Sequence, residues 1–194
     1  MAYATYHTRA IVCGSTDSYT SDRSYLLFTE AAGMVWANAR SVRVEKSKQR
    51  YALQDFSILR VTLVKGKTGW KIGSVEALGN PFLSACSRSE RALATAVTKQ
   101  LRRYLHGEEP VRPVFHDVWS LFQIIVRSQE YDLSELEAVY TVRLLYQLGY
   151  VNPTADLRPI VAASDPVAAL SYVTPATRTI MAQMTTTAET VSQL

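Results

Sequence analysis

Five cations and one acid fall within eleven residues, Arg40-Ser-Val-Arg43-Val-Glu45-Lys46-Ser-Lys48-Gln-Arg50. In an ordinary loop these cations repel one another. Phosphates relieve that repulsion and release condensed counterions, so the chemistry this run suits is binding to a nucleic-acid backbone. Trp36 and Tyr51 flank it and offer faces on which bases can stack. The bland alternative is a solvated, mobile basic loop.

A second cationic set follows Ser87-Arg-Ser-Glu90, whose spacing is that of a helix capping box. On a helix, Arg88, Arg91, Lys99 and Arg102 fall in one stripe roughly 80° wide, with Arg103 beside it. Leu93, Ala94, Val97, Leu101, Tyr104 and Leu105 take the other side. The stripe carries no acid, which suits a phosphate track, although a solvated face reads the same way.

Other chemistry is thinly represented. Gly66-Lys67-Thr68 imitates the end of a phosphate-binding P-loop, but the first glycine of that motif would be Val61, and a hairpin turn is the better reading. No GxSxG, HExxH or GxGxxG occurs. His116-Asp117 lies beside an apolar helix face and reads as structural. Cys13 and Cys86 are far apart and His7, His106 and His116 are scattered, so the usual four zinc ligands cannot be assembled. We therefore expect no enzyme, no metal and no cofactor; a hydrolase with dispersed groups is the alternative that motifs alone leave open.

The elements that must position these residues change character along the chain. Residues 1–79 read as five strands, about Thr5–Gly14, Ser24–Thr29, Met34–Ala39, Phe56–Lys65 and Trp70–Leu78, with turn formers between them. That pattern predicts an OB-fold-like barrel, and an SH3-like barrel reads almost the same. Residues 80–113 form a connecting segment carrying the basic helix 87–106, with Glu108-Glu109-Pro110 and Pro113 as linker. Residues 114–194 read as an all-helical domain: Phe115 to Val126, then Leu133 to Leu148 with Asp132 as N-cap and Gly149 as stop. Ser164-Asp165-Pro166 and Thr174-Pro175 each look like a cap and an early helical proline. The expected class is thus α+β, a five-stranded barrel followed by helices.

The charge follows this division. Residues 1–106 hold 16 Lys/Arg and 7 Asp/Glu, a balance of +9, whereas 107–194 hold 5 and 10, a balance of −5. A basic half joined to an acidic one suggests two tasks. No apolar run reaches the roughly 18 residues of a membrane span. The start has neither the basic nor the apolar region of a secretory signal, so the cytoplasm is the expected location.

These residues also carry a family resemblance. Asp22-Arg-Ser-Tyr-Leu-Leu-Phe-Thr-Glu30, Gly33, and the strand running to Ala39-Arg40 resemble the amino-terminal pattern of the RecO family of DNA-repair proteins. Ser47-Lys48 and Ala52-Leu-Gln-Asp-Phe56 continue it in register, and Val142 to Leu148-Gly149-Tyr150 and Pro153 resemble a later family helix. The four-cysteine zinc element of many members has no counterpart in Thr154–Val161, a usual glycine is replaced near Asn38-Ala39, and the carboxy-terminal part looks shorter than is typical. The resemblance implies a recombination mediator, nucleoid-associated during repair. It would bind single- and double-stranded DNA, anneal strands and, with RecR, help load RecA onto DNA coated by single-stranded-DNA-binding protein (SSB). The rival readings are a generic OB-fold nucleic-acid module and a protein adaptor without DNA binding.

The missing ligands and the missing P-loop glycine generate a test. Elemental analysis is expected to find no stoichiometric zinc, and the chain to show no steady ATP turnover. Bound zinc, or turnover abolished by Lys67→Ala, would overturn this.

Overall fold

The computed structural model describes residues 4–18 and 21–191. The amino-terminal and carboxy-terminal ends of the expected domains, residues 1–3 and 192–194, lie outside the described residues, as do 19–20.

Five strands are present among the described residues: β1 Ala4–Asp17, β2 Arg23–Thr29, β3 Gly33–Ala39, β4 Ile58–Gly66 and β5 Gly69–Gly79. They form one mixed sheet in the order β1-β2-β3-β5-β4, and β4 pairs in turn with β1. All ladders are antiparallel except β3–β5, a short parallel contact of Ala37 with Trp70 and Asn38 with Lys71. The β4–β5 turn is the hairpin expected in place of a P-loop: Gly66 pairs with Gly69, whose φ is +109°. One short helix, α1 Gln49–Ala52, lies in the segment read from sequence as a plain loop.

Inside the sheet, Ala10, Val12, Tyr25, Leu27, Val35, Ala37, Leu59, Leu63 and Trp70 share one core cluster. Yet Ala10 to Cys13 are all buried, without the alternation of a strand wetted on one face. The second face of β1 is covered by α3 Arg88–Tyr104, which packs on it. Ser87 and Glu90 form the expected capping box, and Leu93, Ala94, Val97, Thr98 and Leu101 are the buried stripe. Phe28 meets Phe115 with ring centroids 5.4 Å apart. The segment after α3 is tied to the sheet: Met34 N–H donates to Gly107 O at 3.0 Å, and Trp70 Nε1 donates to Glu108 at 2.9 Å.

The chain divides into two compact units, Met1–Phe115 and His116–Leu194. Helix α2 Pro81–Ser84 and α3 fall in the first. Helix α4 Arg112–Val126 begins at its end, so Pro113, expected in a linker, sits in the first helical turn, where its missing N–H costs little. The second unit holds most of α4, then α5 Leu133–Gln147, α6 Arg158–Ala162, α7 Pro166–Ala169 and α8 Pro175–Val191, with 3-10 turns at Ala155–Leu157 and Leu170–Tyr172. Asp132 and Asp165 cap α5 and α7 as their spacing suggests, and Gly149 ends α5 at φ +77°. No helix among the described residues is long and apolar enough to cross a membrane.

At the centre of the second unit Arg143 and Asp117 form a buried ion pair, 3% and 2% exposed, through Nε–Oδ2 at 2.8 Å and Nη2–Oδ1 at 2.9 Å. Arg143 Nη1 also donates to the carbonyls of Ile160 at 2.8 Å and Ala163 at 2.9 Å, at the end of α6. Gln147 donates to Asp117 at 3.0 Å. Burial pushes the Asp117 carboxyl up, and the Arg143 donors oppose that. Asp117 thus has the structural setting read from its place on the helix, whereas His116 is exposed.

Two tests follow. Asp117→Ala leaves the Arg143 guanidinium buried without its counter-ion and should cost about 3–5 kcal/mol in denaturant melts. A cost under about 1 kcal/mol would show that the pair does not hold the unit together. Gly33 has φ +68°, and a Cβ there would lie 2.3 Å from Glu109 O. Gly33→Ala should therefore lose at least about 1–3 kcal/mol from backbone strain alone.

Candidate nucleic-acid interface

The expected cations divide by what surrounds them. In the 40–50 segment the backbone is pinned: Ser41, at φ +51°, donates its N–H to Asp22 at 2.8 Å, and Arg43 N–H donates to Ser21 O at 3.1 Å. Arg43 reaches Asp17 at 3.4 Å, and Asp17 also accepts from Arg23 Nε at 2.9 Å. Arg50 lies over the Tyr51 ring, 4.7 Å from its centroid, and donates to its hydroxyl at 2.6 Å. Tyr51 is well exposed, but this guanidinium covers one of its faces. Arg40, Lys46 and Lys48 are exposed and have no carboxylate partner among the described residues. Arg23, Arg43 and Arg50 rim a groove of about 480 Å³ with Tyr25, Leu53 and Asp55.

On α3, Arg88, Arg91, Lys99, Arg102 and Arg103 are all exposed, as the stripe requires. Arg91 donates to Ala85 O at 3.2 Å, and Arg103 lies 5.4 Å over the Tyr104 ring. Arg88, Lys99 and Arg102 have no carboxylate partner among the described residues. The stripe is long: Arg88 lies roughly 21 Å from Arg102 along the axis at about 1.5 Å per residue. Only its far end meets the strand residues singled out by sequence.

That meeting occurs on the face of β2 and β3 turned away from the sheet core. Side chains alternate along a strand. Val35, Ala37 and Ala39 belong to the core cluster, so Trp36 and Asn38 point outward, and Trp36 is 51% exposed. The register sets two parallel rows across the strands. Gly14 pairs with Leu26 and Leu26 with Trp36, an apolar row. Thr16 pairs with Ser24, Ser24 with Asn38, and Asn38 with Lys71, a polar row ending in a cation. A bulge at Cys13 shifts the β1 register just before Gly14. Cys13 itself is inert, because burial pushes its thiol up to about 12.

Gly14 leaves room on β1 for an α3 side chain. Arg102 Nη1 lies 3.7 Å from where a Cβ on Gly14 would stand. Trp36, Leu26, Met34 and Arg102 then line a groove of about 290 Å³, walled by Leu105, His106 and Gly107. Arg40 follows along β3, roughly 13 Å from Trp36 at about 3.3 Å per residue. Gly14, Leu26, Asn38, Lys71 and His106 were absent from the sequence-based set; cross-strand register sets the first four in their rows, and His106 enters from the segment after α3.

No group of three or more His, Cys, Asp or Glu able to hold a metal occurs among the described residues. The interface can offer charge, hydrogen bonds and apolar stacking surface.

Comparison with known proteins finds similarity over about three quarters of the chain. Residues 1–80 match the family model described as Recombination protein O N terminal. The chain is similar to the DNA repair protein RecO of Clostridium novyi, 27% identical over 146 residues that cover 75% of this chain and 56% of that protein. It is similar to the DNA repair protein RecO of Rubrobacter xylanophilus, 26% identical over 147 residues, 76% of this chain and 58% of the relative. The protein of the same name from Desulfitobacterium hafniense is 29% identical over 146 residues, 75% of this chain and 52% of the relative. The chain spans about half the length of the curated relatives it matches. Together these matches support homology with RecO proteins.

Proposed function

We propose that this chain is a non-catalytic recombination mediator of the RecO type. It binds single- and double-stranded DNA and anneals complementary strands. With RecR it helps load RecA onto DNA coated by SSB. The first unit is an OB-fold barrel that carries the DNA, and the acidic helical unit receives protein partners.

The observation that carries this reading is the pairing of two features in one unit. The strand order β1-β2-β3-β5-β4, returning to β1 and with α1 between β3 and β4, supports an OB-fold over an SH3-like path. The face of strands 2 and 3 is where OB-folds bind oligonucleotides. Trp36 and Arg102 line one groove on that face, Arg40 directly follows β3, and Lys46 and Lys48 come later in the same connecting segment. Among the described residues none of these cations has a carboxylate partner. Phosphate contacts of this kind position DNA without reading its sequence, as annealing any pair of strands requires.

The pairing of Arg43 with Asp17 selects the residues to test. Arg40, Lys46 and Lys48 replaced together by alanine should weaken binding to all sequences alike. Each phosphate contact contributes about 0.7 to the slope of log affinity against log salt on single strands, so the slope should flatten by about 2. The measurement is titration of fluorescent single-stranded DNA at several salt concentrations. A variant that keeps the parent's affinity and slope makes the segment a solvated turn; a parent that binds no DNA makes the chain an adaptor. Annealing of SSB-coated complementary strands then tests the mediator role itself.

A further inference from the structure

We infer that the groove between Trp36 and Arg102 is a subsite for one unpaired nucleotide, with the base stacked on the Trp36 indole and the adjoining phosphate held by Arg102. It rests on the DNA-binding reading above and deepens it: this part of the surface takes single strands and rejects duplex, while the 40–48 cations serve both.

The apolar row supplies the shelf. Trp36 is half exposed beside Leu26, its cross-strand partner, and Met34 lies beneath them at 7% exposure. A single exposed tryptophan is ordinary on a protein surface. A tryptophan lining a groove with a guanidinium that has no carboxylate partner among the described residues is a different arrangement. The two side chains match the two halves of a nucleotide, an apolar π-face and an anion. Stacking on an aromatic ring accepts any base, because every base has such a face.

The geometry also sets the strandedness. In a duplex both faces of each base are covered by neighbouring pairs, so the indole has nothing to stack on. The Arg102 guanidinium is on the groove side of Gly14, with Nη1 3.7 Å from where a Cβ on Gly14 would stand. The wall opposite is fixed, since Gly107 O accepts from Met34 N–H at 3.0 Å. That backbone bond sets the wall in place before any ligand arrives, which reduces the ordering cost of binding.

The test compares a fluorescent oligothymidylate with a blunt duplex of equal length. It uses the full chain, Trp36→Ala, Trp36→Phe, Arg102→Gln and the Arg40/Lys46/Lys48 alanine variant. Trp36→Ala should lower single-strand affinity roughly five- to a hundredfold, and the ratio of single-strand to duplex affinity should fall at least about fivefold with it. Trp36→Phe should recover most of the loss, because a phenyl ring still stacks. Arg102→Gln should flatten the single-strand salt slope by about 0.7. Both positions are exposed, so thermal melts should match the parent. Quenching of tryptophan emission by the oligothymidylate should vanish in Trp36→Ala. If Trp36→Ala binds both DNAs as the parent does, or loses both equally, while the loop variant loses affinity, the subsite is refuted and DNA binding stands. If the parent binds neither DNA, the function and the subsite fall together.

Discussion

Burial of both faces of the β1–β2–β3 corner is the constraint on which the rest of the first unit depends. Ala10, Ile11, Val12 and Cys13 are 0–3% exposed, and Leu27, Phe28 and Thr29 are 0–1% exposed. Ala10, Val12 and Leu27 belong to the sheet's own core, while Phe28 meets Phe115 on the other side. A slip of one residue in such a strand would exchange two buried sets of different size, so the register is specified twice over. Because α3 fills one of those faces, its axial position is fixed by the same packing. The placing of Arg102 over Gly14, and so beside Trp36, is a consequence of core packing and not of any attraction between those residues.

Much of this was legible in the sequence, and the remainder was hidden for one physical reason. Strand and helix periodicities are local, and they placed all five strands within a few residues of their observed limits. The Ser87–Glu90 capping box is local too, and it forms as its spacing requires. The cationic character of 40–50 and of the α3 face was equally plain. Which cations are already engaged was not. Arg43, beyond β3, finds Asp17 at the end of β1, Arg9 takes Glu30 in a two-pronged contact, and Arg143 takes Asp117 from another helix. The apolar and polar rows on β2 and β3 are likewise non-local, since they exist only once Gly14, Leu26 and Trp36 are in register. Four-residue α1 escaped notice because Gln49–Ala52 is too short to show a helical period.

The second unit solves its packing by different means. Helix α5 buries Leu136, Val139, Tyr140, Thr141, Val142, Arg143, Leu144 and Leu145, nearly all round its circumference, as a central helix does. An arginine in that position is expensive unless every donor is used. Asp117 accepts from Nε and Nη2, and the carbonyls ending α6 accept from Nη1. One side chain thereby satisfies a helix end that would otherwise leave carbonyls bare, and joins α4, α5 and α6. The pair is a positional device more than a source of net stability, because hydrophobic replacements of buried ion pairs are often as stable.

Engagement of charge then separates cations that brace the fold from cations left to solvent, which are the ones the proposed function uses. Arg9, Arg23 and Arg143 each meet an acid at 2.7–2.9 Å; they brace strands or helices. Arg40, Lys46, Lys48, Lys99 and Arg102 meet none among the described residues. Acids are not scarce in the first unit: Asp55, for one, stands in the groove with Arg23, Arg43 and Arg50. Asp17 pairs with Arg23 and Arg43, Glu30 with Arg9, Glu76 with Arg60 and Glu108 with Lys65, and the exposed cations above are left with a net excess of positive charge. Such an excess disfavours the compact state through self-repulsion, and no packing advantage arises from keeping these side chains charged and exposed. An anionic ligand removes that repulsion. The apolar row beside Arg102 narrows the choice of anion, because a surface made only for phosphate would have no use for Trp36 and Leu26 next to its guanidinium. A polymer of phosphates and flat apolar rings uses both.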